Sequence, residues 1–207
     1  MAPIVILAGF STAGKSRFLE TCGSFAKCID TDSEIAARSG FGHIYDISMT
    51  NGREKALEII SKSEEQVLEL LSEPVDKPRL VAAGPFLMTR AGWDAFFNAQ
   101  KPYVVHLYMN EEAVYNGLMK RREQQKAELD QDNPNFGSWD KDVTTALEDG
   151  RYVEVSKEKA FENIRGHLSR ATGLYDKYQS CRYDAMELRR NHSLKQELID
   201  LIRSKLA

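Results

Sequence analysis

Apolar and polar positions along the chain form blocks that predict strands and helices in alternation. The uninterrupted apolar run from Ile4 to Ala8, bounded by Pro3 and Gly9, is typical of a strand buried on both faces. Similar runs predict strands at 25–30, 79–84, 103–109 and 183–188. Helical spacing, with Asn51 and Ser156 as predicted N-caps, predicts helices at 15–22, 52–71, 92–100, 111–125, 156–178 and 193–206, and shorter pieces at 34–38 and 43–47.

Strands that alternate with helices predict an α/β fold with a parallel sheet and helices on both faces. We expect five parallel strands in a three-layer arrangement. Such sheets bind ligands beyond the carboxyl ends of their strands. Residues of polar or glycine type fall at those predicted ends, namely Gly9, Asp30, Asp32, Gly84 and Asn110.

One segment breaks the pattern and is interpreted as a mobile lid. Residues 126–150 are polar and acidic, contain few aliphatic side chains and carry Asn-Pro and Gly-Ser steps. We place the lid at approximately 120–155. The chain has 207 residues, which suits a single domain, 1–207, with this segment inserted.

Composition narrows the function classes. Hydrophobic residues make up 42%, enough for a core, and the net charge of −3 argues against duplex nucleic acid as a partner. Three cysteines without a CxxC pair argue against a disulfide framework or a zinc site. No apolar stretch approaches the roughly 20 residues of a membrane span. We therefore expect a cytoplasmic protein without a membrane partner, as a monomer or weak dimer.

The segment after the first strand carries the most specific motif of the chain. Residues 9–16, GFSTAGKS, fit the pattern G-x-x-x-x-G-K-[ST], here called the phosphate loop. Glycines let successive backbone N–H groups point at an anion, and the helix beginning at Lys15 adds its positive end. Lys15 can reach the β- and γ-phosphates of a nucleotide, and the Ser16 hydroxyl can bind Mg²⁺. Ser11 and Thr12 are further candidates for phosphate contacts.

A pair of carboxylates follows the second strand. Asp30 and Asp32 are two residues apart, and on an extended chain such residues project to the same side. One carboxylate can join the Mg²⁺ shell, and the other can orient a substrate hydroxyl and accept its proton. Beside a phosphate loop, the pair predicts phosphoryl transfer to a hydroxyl.

At this point the chain resembles shikimate kinase and related small phosphate-loop metabolite kinases. The resemblance rests on the phosphate loop and the Asp30-Thr-Asp32 pair, and by the order of its segments it spans nearly the whole chain. Segments 42–47, 51–58, 104–112 and 170–175 are similar to stretches of that family. The resemblance implies ATP and Mg²⁺ as cofactors and a small-molecule hydroxyl as acceptor.

The resemblance also implies roles for single residues. Asp30 and Ser16 correspond to the metal site, and Asp32 to the substrate-hydroxyl carboxylate and possible base. Arg121 or Arg122 lies where a lid arginine would approach the transferred phosphate, and Arg170 falls on the adenine side. The implied nucleotide contacts are Gly9, Ser11, Thr12, Ala13, Gly14, Lys15, Ser16, Arg17 and Arg170.

The acceptor side departs from the family. Shikimate kinases carry Gly-Gly-Gly after the third strand, whereas this chain has Ala83-Gly84-Pro85. An arginine that grips the shikimate carboxylate has only Arg53 or Lys55 as counterparts, and Arg90 is a further candidate at the acceptor pocket. Kinases of the chloramphenicol phosphotransferase, gluconate or nucleoside type stay open as alternatives, as does a catalytically silent nucleotide-binding regulator.

Overall fold

The computed structural model describes residues 2–84, 91–140 and 143–207. Within them, five parallel strands form a central sheet and two more strands pair as an antiparallel hairpin. In chain order the strands are β1 (Ile4–Gly9), β2 (Lys27–Asp30), β3 (Arg79–Ala83), β4 (Tyr103–Tyr108), β5 (Thr145–Glu148), β6 (Arg151–Glu154) and β7 (Cys181–Asp184). The sheet order β2-β3-β1-β4-β7 puts the first strand of the chain at its centre.

Helices connect the strands and cover both faces of the sheet. In chain order they are α1 (Lys15–Cys22), α2 (Thr31–Arg38), α3 (Ile44–Asn51), α4 (Arg53–Ser72), α5 (Ala91–Gln100), α6 (Glu111–Glu128), α7 (Lys157–Tyr178), α8 (Ala185–Arg190) and α9 (His192–Leu206). Across the described parts of the chain, none of them is both long and apolar enough to cross a bilayer.

The central strand joins two apolar cores. All six residues of β1 are buried. Val5 and Leu7 pack with residues of α1 and α9, whereas Ile6 and Ala8 pack with residues of α2, α4 and α5. Because successive strand residues point to opposite faces, a continuous apolar run is what a strand between two helical layers requires. The predicted three-layer α/β fold with five parallel strands is confirmed.

Two sequence-based boundaries are wrong, and local hydrogen bonds explain both. Asn51 is the last residue of α3, where its side chain donates to the Ile47 carbonyl (2.9 Å). Gly52, with a φ of 71°, is the N-cap of α4 instead. The strand expected at 183–188 ends at Asp184, whose carboxylate accepts hydrogen bonds from the next turn and begins α8.

The segment interpreted as a loop contains regular structure. A short 3₁₀ turn at Ser138–Asp140 precedes the β5–β6 hairpin. Asp149 and Gly150 both have positive φ, 47° and 79°, as a two-residue hairpin turn requires. Asp-Gly between two short strands was therefore a readable hairpin signal within an otherwise polar stretch.

Candidate functional site

The phosphate loop connects β1 to α1 through two positions that only glycine fits well. Gly9 has a φ of 155°, and a Cβ there would lie 2.6 Å from the Leu107 carbonyl oxygen on the neighbouring β4. Gly14 has a φ of 88° directly before α1. A side chain would strain the backbone at both positions. The resulting tight turn places the positive end of α1 at the loop, as anion-binding loops do.

Lys15 lies folded against its own loop. Its side chain is 8% exposed, and Nζ donates to the carbonyl oxygens of Gly9 (2.8 Å) and Phe10 (3.0 Å). These bonds hold a desolvated ammonium beside the loop, where phosphate oxygens would be stronger acceptors than neutral carbonyls.

Ser16 and Asp30 form the pair that the metal prediction requires. The Ser16 hydroxyl donates to Asp30 Oδ2 over 2.7 Å. Asp30 Oδ1 accepts from the backbone N–H groups of Asp32 (3.1 Å) and Ser33 (3.4 Å), which fixes the carboxylate at the start of α2. A hydroxyl and a carboxylate are hard oxygen donors that suit Mg²⁺. In the described residues no cluster of three or more His, Cys, Asp or Glu could hold a metal, so Mg²⁺ here would take its other ligands from phosphate and water.

Asp32 lies at the same site, but its backbone conformation differs from the extended one that was predicted. The chain turns helical at Thr31, so Asp32 lies in the first turn of α2, and the extended-chain argument for the pair is wrong. The buried Thr31 hydroxyl anchors this turn by donating to the Ala82 carbonyl (3.0 Å) on β3. A Cβ placed on Gly84 would lie 4.0 Å from Asp32 Oδ1. The capping bonds of Asp30 thus determine where Asp32 lies.

A cavity of about 380 Å³, here called the loop cavity, collects most of the predicted polar residues. Gly9 and Ala13 shape the loop without lining this cavity, and Ala13 is buried. The predicted site residues that line it are Ser11, Thr12, Gly14, Lys15, Ser16, Arg17, Asp30, Asp32, Gly84 and Arg121.

A second cavity, of about 280 Å³, adjoins the first and is called the apolar cavity. Both cavities are lined by Ser11, Asp32, Ile44, Tyr45 and Arg121. The apolar cavity extends from this shared end between α3, α4 and α6 to the 3₁₀ turn. Its further walls are Phe10, Ser48, Arg53, Ala56, Leu57, Ile60, Leu118, Arg122, Gln125, Ser138, Trp139, Asp140, Val143 and His167.

Three predicted residues lie elsewhere or outside the described chain. Lys55 is exposed on α4 and lines neither cavity, whereas Arg53 lines the apolar cavity. Arg170 is exposed on α7, where its guanidinium forms a hydrogen bond with His167 Nδ1 (3.1 Å). It does not line the loop cavity. The structure therefore does not bring Lys55 or Arg170 to these cavities. Arg90 lies outside the described residues.

The two neighbouring arginines of α6 differ in environment. Arg121 lines both cavities, and its guanidinium carbon lies 5.7 Å from the centre of the Tyr45 ring. Burial raises the pKa of Tyr45, an effect that Arg121 opposes and Asp32 reinforces. Arg121, Asp32 and Tyr45 all line both cavities, so a positive and a negative side chain lie at their shared end.

Arg122, in contrast, is 5% exposed and paired within segment 120–155. It forms ion pairs with Asp140 (3.5 Å) and Glu154 (3.2 Å) and donates to the Thr144 hydroxyl (2.8 Å). Burial raises the pKa of the Asp140 carboxyl, against the lowering effect of its Thr144 bonds and of Arg122. This cluster ties α6 to the 3₁₀ turn, whose residues line the apolar cavity, and to the β5–β6 hairpin.

The structure adds residues that the sequence gave no reason to select. Gly117 on α6 lies against Thr12, because a Cβ there would meet the Thr12 side chain at 2.7–2.8 Å. Arg189 on α8 donates to the Thr12 carbonyl oxygen. Both residues contact the phosphate loop at Thr12, although they lie far from it in sequence. A glycine in the interior of a helix was the one available signal for Gly117.

Solved structures of known proteins share this architecture. No protein-family model matches the chain, and no curated protein matches it either. Shikimate kinase from Acinetobacter baumannii, in complex with shikimate, is 21% identical with a TM-score of 0.63, over 99% of this chain and 94% of that one.

Two further shikimate kinases align over nearly the full length. The enzyme from Bacteroides thetaiotaomicron is 15% identical with a TM-score of 0.61, over 98% of this chain and 99% of that one. The enzyme from Aquifex aeolicus is 13% identical with a TM-score of 0.54, over 98% and 95%. At these identities the likeness establishes that the chain shares the fold of these three enzymes.

Proposed function

We propose that this protein transfers the γ-phosphoryl group of ATP to a hydroxyl of a small molecule. The observation that carries the proposal is that Asp32 lines both cavities, between the phosphate loop and the apolar cavity. A carboxylate at such a junction can orient an acceptor hydroxyl toward a bound nucleotide and accept its proton. The fold shared with shikimate kinases supports the same class of reaction.

On the nucleotide side, the chain's own groups bind and orient the phosphates. Backbone N–H groups of the phosphate loop and the start of α1 receive the anionic oxygens, and Lys15 adds its charge at the β- and γ-phosphates. Ser16 and Asp30 would hold Mg²⁺. Bound there, the ion would supply positive charge that offsets the negative charge of the phosphates.

On the acceptor side, Arg121 is the arginine proposed to meet the transferred phosphate. It lines both cavities, whereas the guanidinium of Arg122 is already engaged by Asp140 and Glu154. Segment 120–155 is proposed to act as a lid, because closing over the acceptor would exclude water, a competing nucleophile. Arg53 and Gly84 complete the proposed acceptor contacts.

The test is ADP release by the purified protein with Mg²⁺·ATP, comparing wild type with Asp32→Asn. We expect the variant to lose at least about a hundredfold in turnover, because general-base catalysis contributes that much or more, while ATP affinity stays within about twofold. Asp76→Asn, on an exposed loop, is the matched control.

The acceptor panel separates this reaction from the alternatives. Shikimate is the first acceptor to test, followed by gluconate, nucleosides and chloramphenicol. Equal turnover by the Asp32→Asn variant would refute the role of Asp32. ATP binding without ADP release, with every acceptor, would favour the silent regulator instead.

A further inference from the structure

The side chains that line the apolar cavity suit an apolar ligand. Its lining includes Phe10, Ile60, Leu118 and Val143, with Trp139 contributed by the 3₁₀ turn. A volume of about 280 Å³ is near the lower end of the range for small-molecule sites, so it suits one ring with a short side chain.

An exposed leucine in the lining of the apolar cavity also favours an apolar ligand. Of the large apolar side chains in the described residues, Leu57 (43% exposed) and Leu147 (60%) are the exposed ones. Leu57 lines the apolar cavity. An apolar ligand would remove this side chain from water, which is favourable in proportion to the area covered.

Most charged side chains that line the apolar cavity either lie at the shared end or interact with other residues of the protein. Asp32 and Arg121 belong to the end shared with the loop cavity, and Arg122 and Asp140 pair with each other. Arg53 also takes part in an interaction within the protein. Away from the shared end, the charges of Arg122 and Asp140 offset each other, and Arg53 adds a positive charge to an otherwise largely apolar wall.

Two buried polar side chains at this wall have no well-formed hydrogen bond. Gln125 is 5% exposed and Ser138 is 2% exposed, and both line the apolar cavity. The Ser138 hydroxyl has no hydrogen-bond partner. Neither amide atom of Gln125 has a partner of acceptable geometry, although a looser hydrogen bond from Gln125 lowers the pKa of Tyr45. Buried polar groups in native proteins are almost always hydrogen-bonded, so such groups call for a partner.

The geometry points to a largely apolar alcohol as the occupant of this cavity, bound through one further polar group by Gln125 and Ser138. The inference rests on the proposed phosphoryl transfer and names its acceptor class. The alcohol's hydroxyl would lie at the shared end beside Asp32, its apolar body against Leu57 and Trp139, and an amide or second hydroxyl at Gln125 and Ser138. Such a molecule differs from shikimate, which is an anionic polyol.

The first experiment measures binding separately from turnover. Dissociation constants are determined by calorimetry on the full chain, with Mg²⁺ and a non-hydrolysable ATP analogue, and ADP release is measured in parallel with ATP. The probes are N-acetylphenylalaninol, which carries a ring, a neutral amide and a hydroxyl, 3-phenylpropanol, which lacks the amide, and shikimate. We expect N-acetylphenylalaninol to bind about tenfold more tightly than shikimate.

The second experiment assigns the polar contact. Gln125→Leu should weaken N-acetylphenylalaninol roughly tenfold, since a hydrogen bond in a buried site is lost, and leave 3-phenylpropanol unchanged. Without ligand, the variant should keep or raise its melting temperature, because it removes a buried amide that has no well-formed hydrogen bond. Ser138→Ala provides a second, smaller probe of the same contact, and Gln124→Leu, on the exposed face of α6, is the matched control.

The outcomes separate the two proposals. Tighter binding of shikimate than of both aryl alcohols, or an equal loss of both aryl alcohols in Gln125→Leu, overturns the acceptor class. ADP release with shikimate alone, abolished by Arg53→Gln, overturns it too while leaving phosphoryl transfer intact. Amide-dependent binding of N-acetylphenylalaninol, without ADP release from it or from any other compound of the panel, supports an apolar alcohol as the ligand of this cavity and contradicts phosphoryl transfer.

Discussion

The loop cavity and the apolar cavity share five wall residues but are built in opposite ways. The loop cavity takes much of its wall from the single stretch 11–17 and from Asp30 and Asp32. The apolar cavity draws on α3, α4, α6, the 3₁₀ turn and α7, so its residues come from 10 to 167 in the chain. The first site is mainly a property of local chain geometry, and the second is a product of packing between distant elements.

This difference predicts that the two sites respond separately to substitution. A change within the phosphate loop should affect nucleotide binding and leave the apolar cavity unchanged. A change within segment 120–155 should affect stability and the apolar cavity, with nucleotide affinity preserved. Each prediction below tests one side of this separation.

The largest effect is expected for Lys15→Ala. Loss of an ammonium that binds phosphate should lower ATP affinity and turnover by up to about a hundredfold, because charge-assisted hydrogen bonds contribute up to about 3 kcal/mol. Calorimetry with an ATP analogue and an ADP-release assay measure both quantities. Lys62→Ala, on the exposed surface of α4, is the control. Unchanged ATP affinity and turnover in Lys15→Ala would disprove the assignment of the phosphate loop.

Arg122→Gln should act mainly on stability. Removing the guanidinium leaves the Asp140 carboxylate, 7% exposed, without its ion-pair partner, and should lower the free energy of unfolding by about 3 kcal/mol. Urea denaturation measures this loss, and ATP affinity should stay within about twofold.

The matched control for Arg122 is its other partner. Glu154 is 48% exposed, so Glu154→Gln should cost less than about 1 kcal/mol. A comparable loss of stability in both variants, or a tenfold loss of ATP affinity in Arg122→Gln, would contradict the separation of the two sides.

The smallest effect is expected for Gly117→Ala. Alanine favours the helix by about 1 kcal/mol, but its Cβ would displace the Thr12 side chain of the phosphate loop. Stability should therefore change little, whereas ATP affinity should fall severalfold. A ligand-free melting curve and an ATP titration measure the two effects.

Gly173→Ala provides the comparison for Gly117. A Cβ at Gly173, on the exposed surface of α7, would meet nothing within 4 Å. This variant should gain about 1 kcal/mol in stability and keep its ATP affinity. If Gly117→Ala and Gly173→Ala bind ATP with the same affinity, the contact between α6 and the phosphate loop has no role in nucleotide binding.

The sequence predicted the fold and the phosphate loop more reliably than the acceptor side. The apolar run at β1 and the spacing of Gly9, Gly14 and Lys15 report on local backbone geometry, so they could be read directly. Asp32 was selected from an extended chain that is in fact helical, because the capping bonds of Asp30 were not foreseen. Lys55 was offered beside Arg53, although only Arg53 lines the apolar cavity.

The sequence pattern alone could not predict which residues surround a given side chain. Arg121 and Arg122 are adjacent and identical in type, yet one lines both cavities and the other is buried among Asp140, Thr144 and Glu154. Adjacent helical positions point about 100° apart, and what each one meets depends on segments that return from far along the chain. Gln125 likewise reads as one more polar residue of α6.

Interactions between near neighbours in sequence were thus enough for the strand, the glycine turn and the lysine that follows it, because those features depend on backbone conformation and hydrophobic periodicity. The apolar cavity, the ion pairs of Arg122 and the burial of Gln125 and Ser138 arose only when helices, turn and hairpin packed together. Burial and hydrogen-bond partners are properties of that packing, and they decide which chemistry a side chain can perform.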